Sequence, residues 1–196
     1  DVLVRRFINP DPCLVNGARP YQPGDPPRML HYAASLRTGQ WQVKTCDASA
    51  DPKMLVLLNV ARSARQWADL GEQDTQVIED ALSLAATVCL LAIDRGAAAG
   101  LAANTTLTDE REEALLLPDR STEQKDALLS LCARMTLKMH RTFPAFLAQL
   151  TLPPGVEDVL ILTCYEDAAI TAQAERFREQ GARVVCHLLE GGESHG

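Results

Sequence analysis

Two short, unbroken apolar runs constrain this chain most: MLVLL at residues 54–58 and VLILT at 159–163. A strand with one wet face alternates apolar and polar residues. A run without alternation is a strand covered on both faces, as a parallel sheet requires. Segments of helical period separate and follow these runs. In residues 74–95, Val77, Ile78, Ala81, Leu82, Ala85, Val88, Cys89 and Ala92 recur at three- and four-residue spacing, with Asp74 placed to cap the start and Gly96 to stop the end. Ser121 with Gln124 fits a capping box opening a second helix, striped by Ala127, Leu128, Leu131, Met135 and Met139. Pro144 ends or kinks that helix, and residues 143–150 continue as a short separate turn. A third helix is predicted over 167–180, closed by Gly181, followed by a last strand over 182–189 and a solvated tail, 190–196, containing His195.

Residues 98–103 and 114–117 also read as strands. Their polar link, 104–113, is too short for a crossover helix, so they form an antiparallel hairpin. Strands alternating with helices predict an α/β fold: a doubly wound, mainly parallel sheet with one antiparallel hairpin strand. Right-handed crossovers gather the C-terminal strand ends on one edge, so a site is expected in the loops after Leu58, Ala103 and Thr163.

Residues 1–53 differ from the rest. They hold seven of the eleven prolines, which break helices and central strands alike. Short strands at 2–8 and 41–46 and a turn at Thr38-Gly39 are expected there, as a small N-terminal β segment, with the α/β domain over 54–189. Seven basic residues against five Asp give this segment +2; the remainder carries −9 of the total −7. An acidic bulk argues against nucleic acid as a partner. The six cysteines form no C-x-x-C pair and no zinc spacing with His, which reads as a reducing compartment. Cys89, Cys164 and Cys186 lie in apolar runs and are expected to pack as small hydrophobes. No apolar run long enough to cross a bilayer is read from the sequence. The chain begins at Asp1, not Met, so it is expected to be part of a longer protein, with any membrane anchor outside it.

The most distinctive stretch is residues 19–44, RPYQPGDPPRMLHYAASLRTGQWQVK. Arg19, Tyr21, Gly24, Asp25, Arg28, Leu30, His31, Tyr32 and Arg37 fall at the fixed spacing of a family signature. The segment thereby resembles domain-of-unknown-function family fifty-eight, with Tyr32 where that family usually has Trp. The resemblance implies a von Willebrand factor A-like domain with an added N-terminal β segment. It also implies a cytoplasmic protein-binding role beside a MoxR-type AAA+ ATPase, in a parent protein that often carries membrane helices. In the residues themselves, Asp25 is placed to hold Arg19 and Arg28 as hydrogen-bonded charge pairs, and Tyr21 and Tyr32 to act as anchors. The segment either latches the N-terminal part onto the α/β core or forms part of a partner-binding surface.

Von Willebrand A domains often hold Mg²⁺ through Asp-x-Ser-x-Ser after the first strand, helped by a Thr and an Asp from later loops. Here the matching positions are Asn59, Ala61 and Ser63, with Thr105 or Thr106 and a displaced Asp167. One ligand charge and one hydroxyl are lost, so the site reads as degenerate, with at most weak Mg²⁺ binding and no required cofactor. Asn59 and Ser63 are expected to bond the loop backbone. Hydrolase, P-loop and zinc-protease motifs are missing, and no glycine-rich phosphate loop follows a predicted strand. His31, His140 and His187 fall in separate elements, His140 on an exposed helix face and His187 structurally in a strand. The expected function is non-catalytic protein binding; a Mg²⁺-dependent binder is the alternative.

Overall fold

The two apolar runs become the central strands of a sheet. The computed structural model describes residues 15–25, 27–46, 53–64, 66, 71–108 and 113–189. The predicted strand at 2–8 and the tail at 190–196, with His195, lie outside these residues. The chain divides into two units, Asp1–Asp51 and Pro52–Gly196.

In the first unit, β1 (Val15–Pro20) and β2 (Gln42–Cys46) pair antiparallel. Between them lie a 3-10 turn, Pro27–Met29, and helix α1, Tyr32–Thr38. The sequence reading placed only strands and turns here. A seven-residue helix forms because His31 caps its start and Gly39, in the left-handed region, closes its end.

The second unit carries β3 (Lys53–Leu58), α2 (Glu72–Asp94), β4 (Ala98–Leu107), β5 (Glu113–Asp119), α3 (Gln124–Arg134), β6 (Met135–Met139), α4 (Phe143–Gln149), β7 (Val156–Thr163), α5 (Ala168–Glu179) and β8 (Arg183–Leu188). The strand order is β5-β4-β3-β7-β8. β3 runs parallel to both β4 and β7, and β7 parallel to β8. β4 and β5 form the antiparallel hairpin, and β6 pairs with β4 beyond the point where β3 ends. This is the mainly parallel, helix-flanked α/β sheet with Rossmann-like topology; the small antiparallel sheet belongs to the first unit.

Alternation along the buried strands divides the core. Leu55, Leu57, Val159, Ile161 and Val184 meet Phe143, Phe146 and Leu147 of α4 and Ile170, Ala174 and Phe177 of α5. The Phe143 and Phe146 rings stack 5.8 Å apart. Helix α2 takes the other face, burying Ile78, Ala81, Ala85, Val88, Cys89 and Ala92. Each fully buried large side chain contributes about 1.5–3 kcal/mol. Among the described residues, α2 is the one helix long and apolar enough to suit a bilayer crossing by length and composition, contrary to the sequence reading. Here it is the crossover helix between two adjacent parallel strands.

Several local expectations are corrected. α2 starts at Glu72 with Gly71 as its cap, because the Asp74 carboxylate is engaged by Arg62 Nε at 2.8 Å. The capping box does not form: Gln124 is buried, and its Nε2 donates to the carbonyls of Ala99 (2.7 Å) and Leu117 (2.8 Å). α3 stops at Arg134, and MTLKM is a strand, not a continued helical stripe; its alternation of apolar and polar residues has period two. His140 therefore follows a strand, where its amide donates to Asn104 O, rather than lying on a helix. Pro144 starts α4 instead of ending α3. Cys89 and Cys164 are buried, but Cys186 is exposed, because it lies on an edge strand.

Candidate functional site

β3 and β7 end beside the middle of β4, and three polar side chains fill the junction. Asn59, Asn104 and Thr163 are all buried. Asn59 Oδ1 accepts from the Ala61 amide at 3.0 Å and from Asn104 Nδ2 at 3.2 Å, while its Nδ2 donates to Thr163 Oγ1 at 3.1 Å. Asn104 Oδ1 accepts from the Val60 amide at 2.9 Å, and its Nδ2 also donates to Arg141 O at 3.1 Å. Thr163 Oγ1 in turn donates to Tyr165 O. The network ties three strands and the β6–α4 link together, and its hydrogen-bonding capacity is spent internally.

Around it, Arg62 touches Asp74. Burial pushes the Cys164 thiol up, against the opposing pull of the Arg62 guanidinium. Burial likewise pushes the Tyr165 phenol up, opposed by a hydrogen bond from Asn59. A thiol held protonated is a poor nucleophile.

Most of the residues expected to form a degenerate ion site are engaged in other bonds. Asn59 is consumed in the network. Thr105 lies within β4, not in a loop, because that strand runs on to Leu107; its Oγ1 donates to Lys138 O at 2.7 Å and shares a bond with Thr136. Thr106 lies in the same strand. Asp167 caps α5, accepting from the Ala169 amide at 2.7 Å. Ser63 is exposed, and its carbonyl accepts from the Gln66 amide. Among the described residues no group of three His, Cys, Asp or Glu is placed to hold a metal.

The signature segment is ordered by a different set of bonds. The Arg19 guanidinium forks onto Asp25, Nη1 to Oδ2 at 2.8 Å and Nη2 to Oδ1 at 2.6 Å. Asp25 Oδ2 also accepts from the Gln22 amide at 2.8 Å, closing a turn through Gly24, whose φ of 108° disfavours any side chain. Arg19 and the Gln22 amide hold the Asp25 carboxyl below the ordinary carboxylate range. Asp25 was expected to hold Arg28 as well; the Arg28 side chain lies outside the described residues. His31 Nδ1 accepts from the Ala34 amide as the cap of α1, and its own amide donates to Gln42 O. Ser35 Oγ accepts from the Gln42 amide at 2.9 Å, fastening α1 to β2.

These bonds leave large apolar groups outside. Tyr32 and Leu36, one turn apart on α1, are 66% and 86% exposed, and Tyr21 and Trp41 are 41% and 61% exposed. The Tyr21 amide donates to Trp41 O, which sets these two residues opposite each other at the mouth of the hairpin. Arg37 lies in the last turn of α1. The sequence reading singled out the two tyrosines but not Leu36 or Trp41.

No curated protein matches the chain. The family model described as protein of unknown function DUF58 matches residues 17–139, which takes in the signature segment, the first half of the sheet and both Asn59 and Asn104. The chain belongs to that family.

Proposed function

We propose that this protein is a non-catalytic protein-interaction domain of von Willebrand A-like type that acts in the cytoplasm beside a MoxR-type AAA+ ATPase. The observation that carries the reading is the exposed face of the signature segment. Tyr21, Tyr32, Leu36 and Trp41 are held outward by a fixed turn and a capped helix. Exposed Tyr and Trp side chains, with Arg, are the residue types that binding hot spots favour. The amide network at the strand ends supports the same reading. It spends on internal bonds the polar groups that an ion-dependent or catalytic site would aim at a ligand.

The test is co-sedimentation of the purified protein with a purified MoxR-type ATPase, with and without ATP and Mg²⁺. Complex formation is expected in at least one nucleotide state. Its absence in all states, with both proteins folded, overturns the proposed partner.

A further inference from the structure

Helix α3 passes into strand β6 without a linking residue: Arg134 is the last helical position and Met135 the first of the strand. The residues of β6 suit a helix better than a strand. In MTLKM, Met, Leu and Lys are good helix formers, and Thr alone is β-branched. Met135 and Met139 also extend, at four-residue spacing, the stripe of Leu128 and Leu131 that α3 buries. A local preference that contradicts the adopted structure marks a segment held by its neighbours. Here the neighbour is β4, which β6 meets beyond the last β3–β4 pair, Leu58 with Ala103. Thr105 Oγ1 donates to Lys138 O at 2.7 Å, and Thr136 Oγ1 donates to Thr106 O at 3.1 Å. Backbone bonds close both ends of β6, from the Thr108 amide to Arg134 O and from the His140 amide to Asn104 O.

From this we infer that residues 135–139 are a two-state element: strand β6 in the major state, and a continuation of α3 by about one turn in a minor one. The exchange conserves backbone hydrogen bonds. The amides of 135–139 turn from β4 to the carbonyls of 131–135, so Arg134 O gives up the Thr108 amide for that of Lys138. The strand state prevails because it keeps the two threonine bonds and the packing of Met139 against the core that holds Phe143 and Phe146. The helical state uncovers the edge of β4 over Thr105–Leu107, which β6 occupies in the major state, and leaves it open to an added strand. It also pulls on the buried polar network, because Asn104 donates to Arg141 O, two residues past β6, and accepts the His140 amide at its own carbonyl. The element thus couples the strand junction to whatever pairs with β4, independently of the exposed surface on the first unit.

The test is relaxation dispersion and chemical-exchange saturation transfer by nuclear magnetic resonance on the intact 196-residue protein, which read minor states exchanging in microseconds to milliseconds and slower. Residues 135–139 should exchange with a state populated at about 1–10%, whose Cα shifts are helical. Thr105→Val keeps the side-chain shape, removes the bond to Lys138 O and should raise that population about fivefold. Lys138→Val, at an exposed position, favours strand over helix and should lower it about twofold or more. Coil-like Cα shifts in the minor state overturn the inference, since simple fraying of β6 gives those. So does a lack of exchange at 135–139 in both the unsubstituted protein and Thr105→Val, and so does a population that neither variant moves. Should Thr105→Val fail to fold, the unsubstituted protein and Lys138→Val decide on the same readouts: helical shifts, and a population that falls.

Discussion

Asn104→Ala removes the hub of the network that joins the strands. Asn104 makes three side-chain bonds: from the Val60 amide, to Asn59 Oδ1 and to Arg141 O. After truncation Asn59 Oδ1 keeps the Ala61 amide, so it is not orphaned. The Val60 amide is, and Val60 is fully buried. One buried, unsatisfied amide costs about 1–3 kcal/mol. The Arg141 carbonyl is only partly buried and adds less, so the total is about 2–4 kcal/mol. Urea unfolding followed by far-ultraviolet circular dichroism measures this loss in the unit Pro52–Gly196, which holds most of the helix. The midpoint should fall with the slope unchanged. A loss below about 1 kcal/mol would refute the reasoning. A polar cluster that can be emptied without cost is held for a ligand rather than for the fold.

Gly100→Ala should also destabilise that unit, by about 1–3 kcal/mol, because an added Cβ would sit 2.4 Å from Leu116 O and 2.7 Å from Pro118 N, so β5 must move; an unchanged melting temperature would contradict it. Arg176→Ala should cost about 1–3 kcal/mol, since its guanidinium binds the carbonyls of Leu147, Ala148 and Leu150 at the end of α4 and stacks over Phe177; Arg176→Lys, lacking the fork, should recover only part by the same denaturation assay. The Asp25 carboxyl titrates below its ordinary value, so the Arg19 clasp contributes above the carboxylate range and is lost as pH falls through that lowered value; the Gln22 amide shift from about pH 5 to about pH 2 should follow it, and a midpoint at the ordinary value would count against the clasp. Saturating Mg²⁺ should leave the melting temperature unchanged, and a clear rise would restore the ion-dependent alternative.

The sheet was legible because its signals are strong and local. MLVLL and VLILT have no polar interruption, and α2 and α5 carry long helical stripes. The hairpin followed from the length of its link alone. What escaped depended on neighbours in space. Gln124 reads as a cap residue until two strand carbonyls claim it. Met135 and Met139 continue a helical stripe and a period-two strand equally well, and only pairing with Thr105 and Leu107 decides between them. In the candidate site, the Arg19–Asp25 clasp was foreseeable from spacing. The exposure of Leu36 and Trp41 was not, because a sequence does not reveal which side of a short helix lacks a cover.

Site-specific photo-crosslinking in the source cell tests the central claim most directly. A benzophenone amino acid replaces Leu36 or Trp41 in the signature segment, or Leu129 on α3, which is 51% exposed, as the control. The account predicts protein adducts from Leu36 and Trp41 containing a MoxR-type ATPase, and none from Leu129. Adducts from Leu129 alone, or only lipid adducts from Leu36 and Trp41, would contradict it.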